Sequence, residues 1–261
     1  MIGAIIGDIV GSPYEFDNIA TTRFPLFSEE CDFTDDTICT IAIADALLTG
    51  EEFGASLRKW CLRYPSPKGA YGGSFSRWLH SPSPQPYGSW GNGAAMRVSA
   101  VGYAFATEAE TLRAAIASAA PTHNHPEGLI GASVVARAIF RLRNMKTPSF
   151  HAPEILDLLD SHYGPDWRKH LPARGHFDES CQGCVPLAFS ICMDSDSFEE
   201  AVRNAIAYGG DSDTLGAITG ALAEARWGVP HEVEQKALFF LTPDLRKVVD
   251  TFRSRFPIEK I

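Results

Sequence analysis

A chain of 261 residues with 45% apolar side chains can bury one sizeable core, so a single domain over residues 1–261 is the first expectation. The formal charge is −9, and Lys and Arg are scattered rather than gathered in runs, which argues against a nucleic-acid backbone or an anionic membrane surface as partner. No apolar stretch reaches the length of a bilayer span, the first residues lack a secretion-signal pattern, and six cysteines are too few for a disulfide scaffold; a cytoplasmic monomer is expected.

Ile2, Ile5, Ile6 and Ile9 recur at helical spacing beside a stripe of Gly3, Gly7 and Gly11 that lets another backbone come close, which predicts a buried first helix. Residues 36 to 49 read as a helix stopped by Gly50, and 52 to 63 as one ending before Pro65. From Tyr64 to Gly93, prolines and glycines predict a long irregular segment whose aromatics, Tyr71, Phe75, Trp78, Tyr87 and Trp90, mark it as a working loop. Thr107 with Glu110, and Ser197 with Glu200, predict capping boxes opening helices near 108–119 and 198–208. Pro126 predicts the start of a long helix to about Lys146, and Pro230 opens another after Gly228. Cys181, Cys184 and Cys192 share one helical face, which favours buried packing over zinc or redox chemistry. With little period-2 alternation, the expected fold class is all-α.

Two helix starts stand out: Thr34-Asp35-Asp36-Thr37 and Asp211-Ser212-Asp213-Thr214. Capping and the helix dipole explain one acid at each start. Here each start carries two, ahead of strongly apolar helices, and four carboxylates near a core repel and desolvate one another unless a cation is present. The donors are all hard oxygens without His or Cys, which points to Mg²⁺ or Mn²⁺ rather than Zn²⁺. Asp194-Ser195-Asp196-Ser197 has the same acid spacing but precedes the charged Phe198-Glu199-Glu200, and reads as solvated capping.

These segments, together with Gly3 to Gly11, Gly91-Asn92-Gly93-Ala94-Ala95-Met96-Arg97 and Thr122-His123, appear in an order that resembles the ADP-ribosylglycohydrolases, over roughly residues 1 to 228. The resemblance implies an orthogonal all-α bundle with a binuclear Mg²⁺ or Mn²⁺ centre that cleaves the bond between C1 of ADP-ribose and an acceptor. It implies metal ligands at Thr34, Asp35, Asp36, Asp211, Asp213 and Thr214, with catalytic roles for Glu15, Asp35 and Asp36. It implies a diphosphate loop using Gly69, Gly72 and Gly73, further substrate contacts from Gly88, Ser89 and Asn92, adenosine stacking on Trp90, and a ligand-contacting His123. Gln182 and Gly183 are expected on the acceptor side. From the residues alone, Glu15 is also readable as a surface acid, and His123 and His125 as loop residues ahead of Pro126.

Two other functions stay open on the sequence: a metal-dependent phosphohydrolase acting on a nucleotide diphosphate, and a non-catalytic protein of the same fold. The acceptor linkage, whether to arginine, serine, nucleic acid or a small ADP-ribose conjugate, is open as well.

Overall fold

A computed structural model describes residues 1–257; the last four residues of the expected domain, 258–261, lie outside the described residues. The α-helices are α1 (Ile2–Gly11), α2 (Asp35–Thr49), α3 (Phe53–Arg63), α4 (Gly73–His80), α5 (Gly93–Met96), α6 (Val101–Ala104) and α7 (Glu108–Ala119). They continue with α8 (Pro126–Asn144), α9 (Pro153–Tyr163), α10 (Cys181–Met193), α11 (Phe198–Tyr208), α12 (Ser212–Trp227), α13 (His231–Phe240) and α14 (Pro243–Arg255). No strand is present among the described residues, so the fold is all-α. Two isolated β-bridges, Thr34 with Lys68 and Gly91 with Ser180, pin loops to one another.

The centre of the molecule is the antiparallel pair α1 and α12. Every residue of α1 is buried, and so is α12 from Ser212 to Ala225. The glycine stripe makes that approach possible. A Cβ on Gly3 would stand 2.2 Å from the Gly220 carbonyl oxygen, one on Gly7 1.9 Å from that of Gly216, and one on Gly11 2.4 Å from Asp213 Cα. No Cβ fits at such distances, so the backbones touch. The pairing also carries the C-terminal end of α1 to the first turn of α12, where Asp211 and Asp213 sit.

Most boundaries follow the local signals. Gly50 closes α2 with φ +76°, and the Thr107–Glu110 box is formed in both directions. At Ser197 only half of a box forms: Ser197 Oγ accepts from the Glu200 N–H, while the Glu200 carboxylate accepts from the Asp196 N–H instead. Helix α8 stops at Asn144, and Pro230 is the residue before α13 rather than its first.

The segment 64–93 is the main departure. It contains α4, whose Phe75, Trp78 and Leu79, spaced three and four residues apart, are buried. The Trp78 ring serves packing, while Phe75, stacked on it, also lines the cleft that Tyr71, Tyr87 and Trp90 reach. An eight-residue helix between flanks rich in Pro and Gly is too short to show its period against the turn signals.

Cys181, Cys184 and Cys192 are all buried on α10 as free thiols. Cys181 Sγ donates to the Gly91 carbonyl at 3.0 Å and Cys184 Sγ to that of Asp178 at 2.8 Å, tying the helix to the loops above it.

Candidate metal centre and cleft

The N-terminal end of α2 is built around Asp8 of α1, an acid with no exposed surface. Its carboxylate accepts the N–H and hydroxyl of Thr34 at 3.0 and 2.7 Å, and the N–H of Thr37 at 3.0 Å together with that residue's hydroxyl. Thr34 in turn caps α2, accepting the Asp36 N–H at 3.2 Å. One buried carboxylate thereby fixes the turn that aims Asp35 and Asp36. Burial pushes the Asp8 carboxyl up to about 6 against the pull of these four donors.

Asp36 and Asp213 are nearly inaccessible, at 2% and 3% exposure. One oxygen of each, Asp36 Oδ2 and Asp213 Oδ1, has no hydrogen-bond partner among the described residues. The Thr214 hydroxyl lies 3.4 Å from Asp36 Oδ1 and links the two acidic starts, while Asn92 Nδ2 donates to Asp211 Oδ2 at 2.7 Å. Glu15, on the loop after α1, joins them: carboxylate oxygens of Glu15, Asp211 and Asp213 lie within 4.8 Å of one another. Asp35 and Asp36 line the same cleft outside that triad.

Burial first, then mutual repulsion, holds Asp35, Asp36 and Asp213 well above the usual carboxylate range, and burial raises Asp211. The same causes push Glu15 up to about 7. Buried carboxylates with orphaned oxygens are the arrangement that a hard divalent cation relieves, by replacing repulsion with coordination. The residues present therefore fit such an ion.

A cleft of about 810 Å³ opens from this cluster. Its lining takes in Glu15, Asp35, Asp36, Asp211, Asp213 and Thr214 and also Gly69, Gly72, Gly73, Gly88, Ser89, Trp90, Asn92 and His123. Thr34, anticipated as a metal ligand, is not on its wall: it is fully buried, and its hydroxyl is engaged by Asp8 and by the Asp36 N–H. Gln182 and Gly183 are also outside the lining, with Gly183 packed so closely on Asp178 that a Cβ would stand 2.1 Å from its carboxylate.

The glycine loop has a specific backbone requirement. Gly69 adopts φ +76° behind Glu15, where a Cβ would lie 2.7 Å from Oε2, and Ala70 follows at φ +66°. Ala70 is the one non-glycine residue with positive φ among the described residues. The Ala70 N–H donates to the Pro67 carbonyl at 3.2 Å, so the two left-handed residues close a tight turn beside Glu15 on the cleft wall. Trp90 is 54% exposed on the rim, edge-on to His125 at 5.5 Å. His125 also accepts the Glu127 N–H and caps α8.

Sequence reasoning missed several lining or supporting residues. Asp8 carried a signal, a lone acid inside an apolar helix. Phe177, Asp178 and Glu179 line the cleft from positions with no periodic or spacing pattern, beside Tyr87 of the aromatic loop and Arg97 of the Gly91–Arg97 motif. Asn18 joins the Glu15 loop to the second acidic start through the Gly210 backbone, donating to its carbonyl at 2.9 Å and accepting from its N–H at 2.6 Å.

The all-α fold brings the two acidic helix starts together at the head of one cleft. The family model for ADP-ribosylglycohydrolase matches residues 1–250, and the chain belongs to that family. A solved structure titled "ADP-ribosylglycohydrolase-related protein complex" is similar over 97% of this chain and 96% of that one, with a TM-score of 0.71 and 22% sequence identity. That likeness shows the fold. The family supports a glycohydrolase function in general, is generally metal-dependent and acts on ADP-ribosylated substrates. No helix of the described residues is long and apolar enough to cross a membrane.

Proposed function

We propose that this chain is a divalent-metal-dependent hydrolase that cleaves the C1 glycosidic bond between ADP-ribose and an acceptor, and so reverses ADP-ribosylation. The observation that carries the reading is the pair of partnerless buried oxygens, Asp36 Oδ2 and Asp213 Oδ1, on the two acidic helix starts that head the cleft. Neither capping nor solubility accounts for them, since capping uses oxygens that are bonded and solubility uses oxygens that are wet.

Asp35, Asp36, Asp211, Asp213 and Thr214 are the residues proposed to hold two Mg²⁺ or Mn²⁺ ions, while Thr34, its hydroxyl engaged by Asp8 and the Asp36 N–H, holds the turn behind them and is not among the ligands. When bound, such ions stabilise charge that builds on the ribose as its glycosidic bond lengthens. The chain's own groups do the rest. The Gly69–Gly73 loop, Gly88, Ser89 and Asn92 orient the ligand, and Trp90 offers a face to adenine. His123, beside Gly91 and Gly93, contacts the ligand from the cleft wall. Asp35 or Asp36 takes the proton of the attacking water, and Glu15 stands on the leaving-group side as proton donor or gate.

The reading is tested by incubating the protein with arginine-, serine- and phosphate-linked ADP-ribose substrates plus Mg²⁺ or Mn²⁺, with chelator controls, and weighing the products. Intact ADP-ribose released from at least one substrate, lost with chelator and in Asp35→Asn/Asp36→Asn, is the expected outcome. Cleavage at phosphorus means a phosphohydrolase. Release from none of the panel favours a non-catalytic protein of this fold.

A further inference from the structure

His123 is 5% exposed and lines the cleft beside Gly91 and Gly93. Its Nδ1 lies 2.7 Å from Thr122 Oγ1, and that oxygen lies 2.8 Å from Arg97 Nη2. Arg97 is itself buried at 1% exposure, and Nη2 also donates to the Ser118 carbonyl at 3.1 Å. Among the described residues no carboxylate pairs with it.

The direction of each bond in this chain follows from what the groups are able to do. A guanidinium only donates, so Thr122 Oγ1 accepts from Arg97. Thr122 has no exposed surface, so its hydroxyl hydrogen cannot go to water. The acceptor within reach of that hydrogen among the described residues is His123 Nδ1. The alternative, a proton on Nδ1 pointing at Thr122, strands the buried hydroxyl hydrogen, at a cost of about 1–3 kcal/mol. Nδ1 therefore carries no proton, and a neutral imidazole must carry it on Nε2. Burial, then the Arg97 charge, keep the ring neutral, holding its pKa well below the usual value.

Nε2 has no partner among the described residues. A Cβ on Gly93 would stand 3.0 Å from it and one on Gly91 3.5 Å, so the two glycines leave open the space that this nitrogen faces.

We propose that Arg97 and Thr122 are positioning residues that fix His123 as the neutral Nε2–H tautomer, so that it offers the cleft one hydrogen-bond donor and no acceptor. The atom it meets must then be a hydrogen-bond acceptor, such as a phosphate or ribose oxygen, and never a lone N–H. The identity of that acceptor rests on the proposed function; the tautomer does not.

The test is the ¹⁵N imidazole spectrum of the full chain labelled at histidine, with Mg²⁺ and without ADP-ribose, His123 being assigned by its loss in His123→Gln. The expected wild-type spectrum shows a protonated Nε2 and an unprotonated Nδ1 at neutral pH. Thr122→Val removes the donor but leaves the Arg97 bond to Ser118, and is expected to let Nδ1–H become populated; Thr122→Ser keeps the hydroxyl and restores the wild-type pattern. ADP-ribose affinity, read by calorimetry, is expected to fall about tenfold in Thr122→Val and to recover in Thr122→Ser. An Nδ1–H tautomer or an imidazolium in the wild type, or an unchanged spectrum in Thr122→Val, overturns the proposal. The wild-type spectrum decides even where Thr122→Val fails to fold, and an unaltered tautomer in a protein that binds no ADP-ribose counts against the functional reading alone.

Discussion

Asp8 and Thr37 meet twice: the backbone N–H and the hydroxyl of Thr37 both donate to Asp8 Oδ2, from a helix that does not otherwise continue the chain of α1. With the two further bonds from Thr34, this makes Asp8 the device that sets the angle of the first acidic start. It is a support for the site rather than part of its wall.

Replacing Asp8 by Asn keeps the shape but turns one acceptor into a donor facing N–H and O–H donors. The expected loss is about 2–4 kcal/mol of stability, with weakened divalent-cation binding, read by denaturant unfolding and by calorimetry. Stability within about 0.5 kcal/mol of wild type contradicts the support role.

The α1–α12 contact makes a sharper stability prediction. Gly7→Ala places a methyl 1.9 Å from the Gly216 carbonyl and is expected to cost more than about 3 kcal/mol, or to prevent folding. Gly72→Ala, where a Cβ meets nothing within 4 Å, is expected to stay within about 0.5 kcal/mol. Thermal denaturation of the two variants side by side measures the difference.

Much of this was legible in the sequence, and the reasons differ by residue. Asp35, Asp36, Asp211 and Asp213 stood out because paired acids ahead of apolar helices conflict with burial unless something resolves the conflict. The glycine stripe of α1 showed because its spacing matches the helical period. Helix α4 did not show, since one buried turn and a half is drowned by flanking turn residues. Asp8 reads as a stray polar position until its four donors are seen to arrive from a distant helix. Asp178 and Glu179 reach the cleft through a loop whose path no local pattern encodes. The site's ends were written in the chain; its walls depend on which loops the helix packing brings together.

Charge state and stability are linked with a definite sign. Burial holds Asp8 at about 6 rather than 3.8, and Glu15 at about 7 rather than 4.5, so each binds its proton more tightly folded than unfolded. Without a cation the protein therefore loses stability as pH rises from 3.8 toward about 7, and nothing is lost below that window. A divalent cation competes with those protons. The increase in Tm on adding Mg²⁺ or Mn²⁺ is expected to be larger at about pH 8 than at about pH 5; an increase independent of pH contradicts carboxylate coordination.

Trp90 separates binding from stability. Because the ring is 54% exposed, Trp90→Ala is expected to leave unfolding within about 0.5 kcal/mol. ADP-ribose affinity should drop by about 1 kcal/mol through lost stacking, measured by calorimetry. An unchanged affinity removes Trp90 from the ligand site.

The central claim is that the two acidic helix starts together hold divalent cation, and a Mn²⁺ titration followed by electron paramagnetic resonance addresses it most directly. Wild-type protein should bind Mn²⁺ and release it to excess Mg²⁺, while Asp36→Asn/Asp213→Asn, which removes charge at the two orphaned oxygens, should bind it at least about a hundredfold more weakly while remaining folded. Equal Mn²⁺ binding by the two proteins would contradict the account.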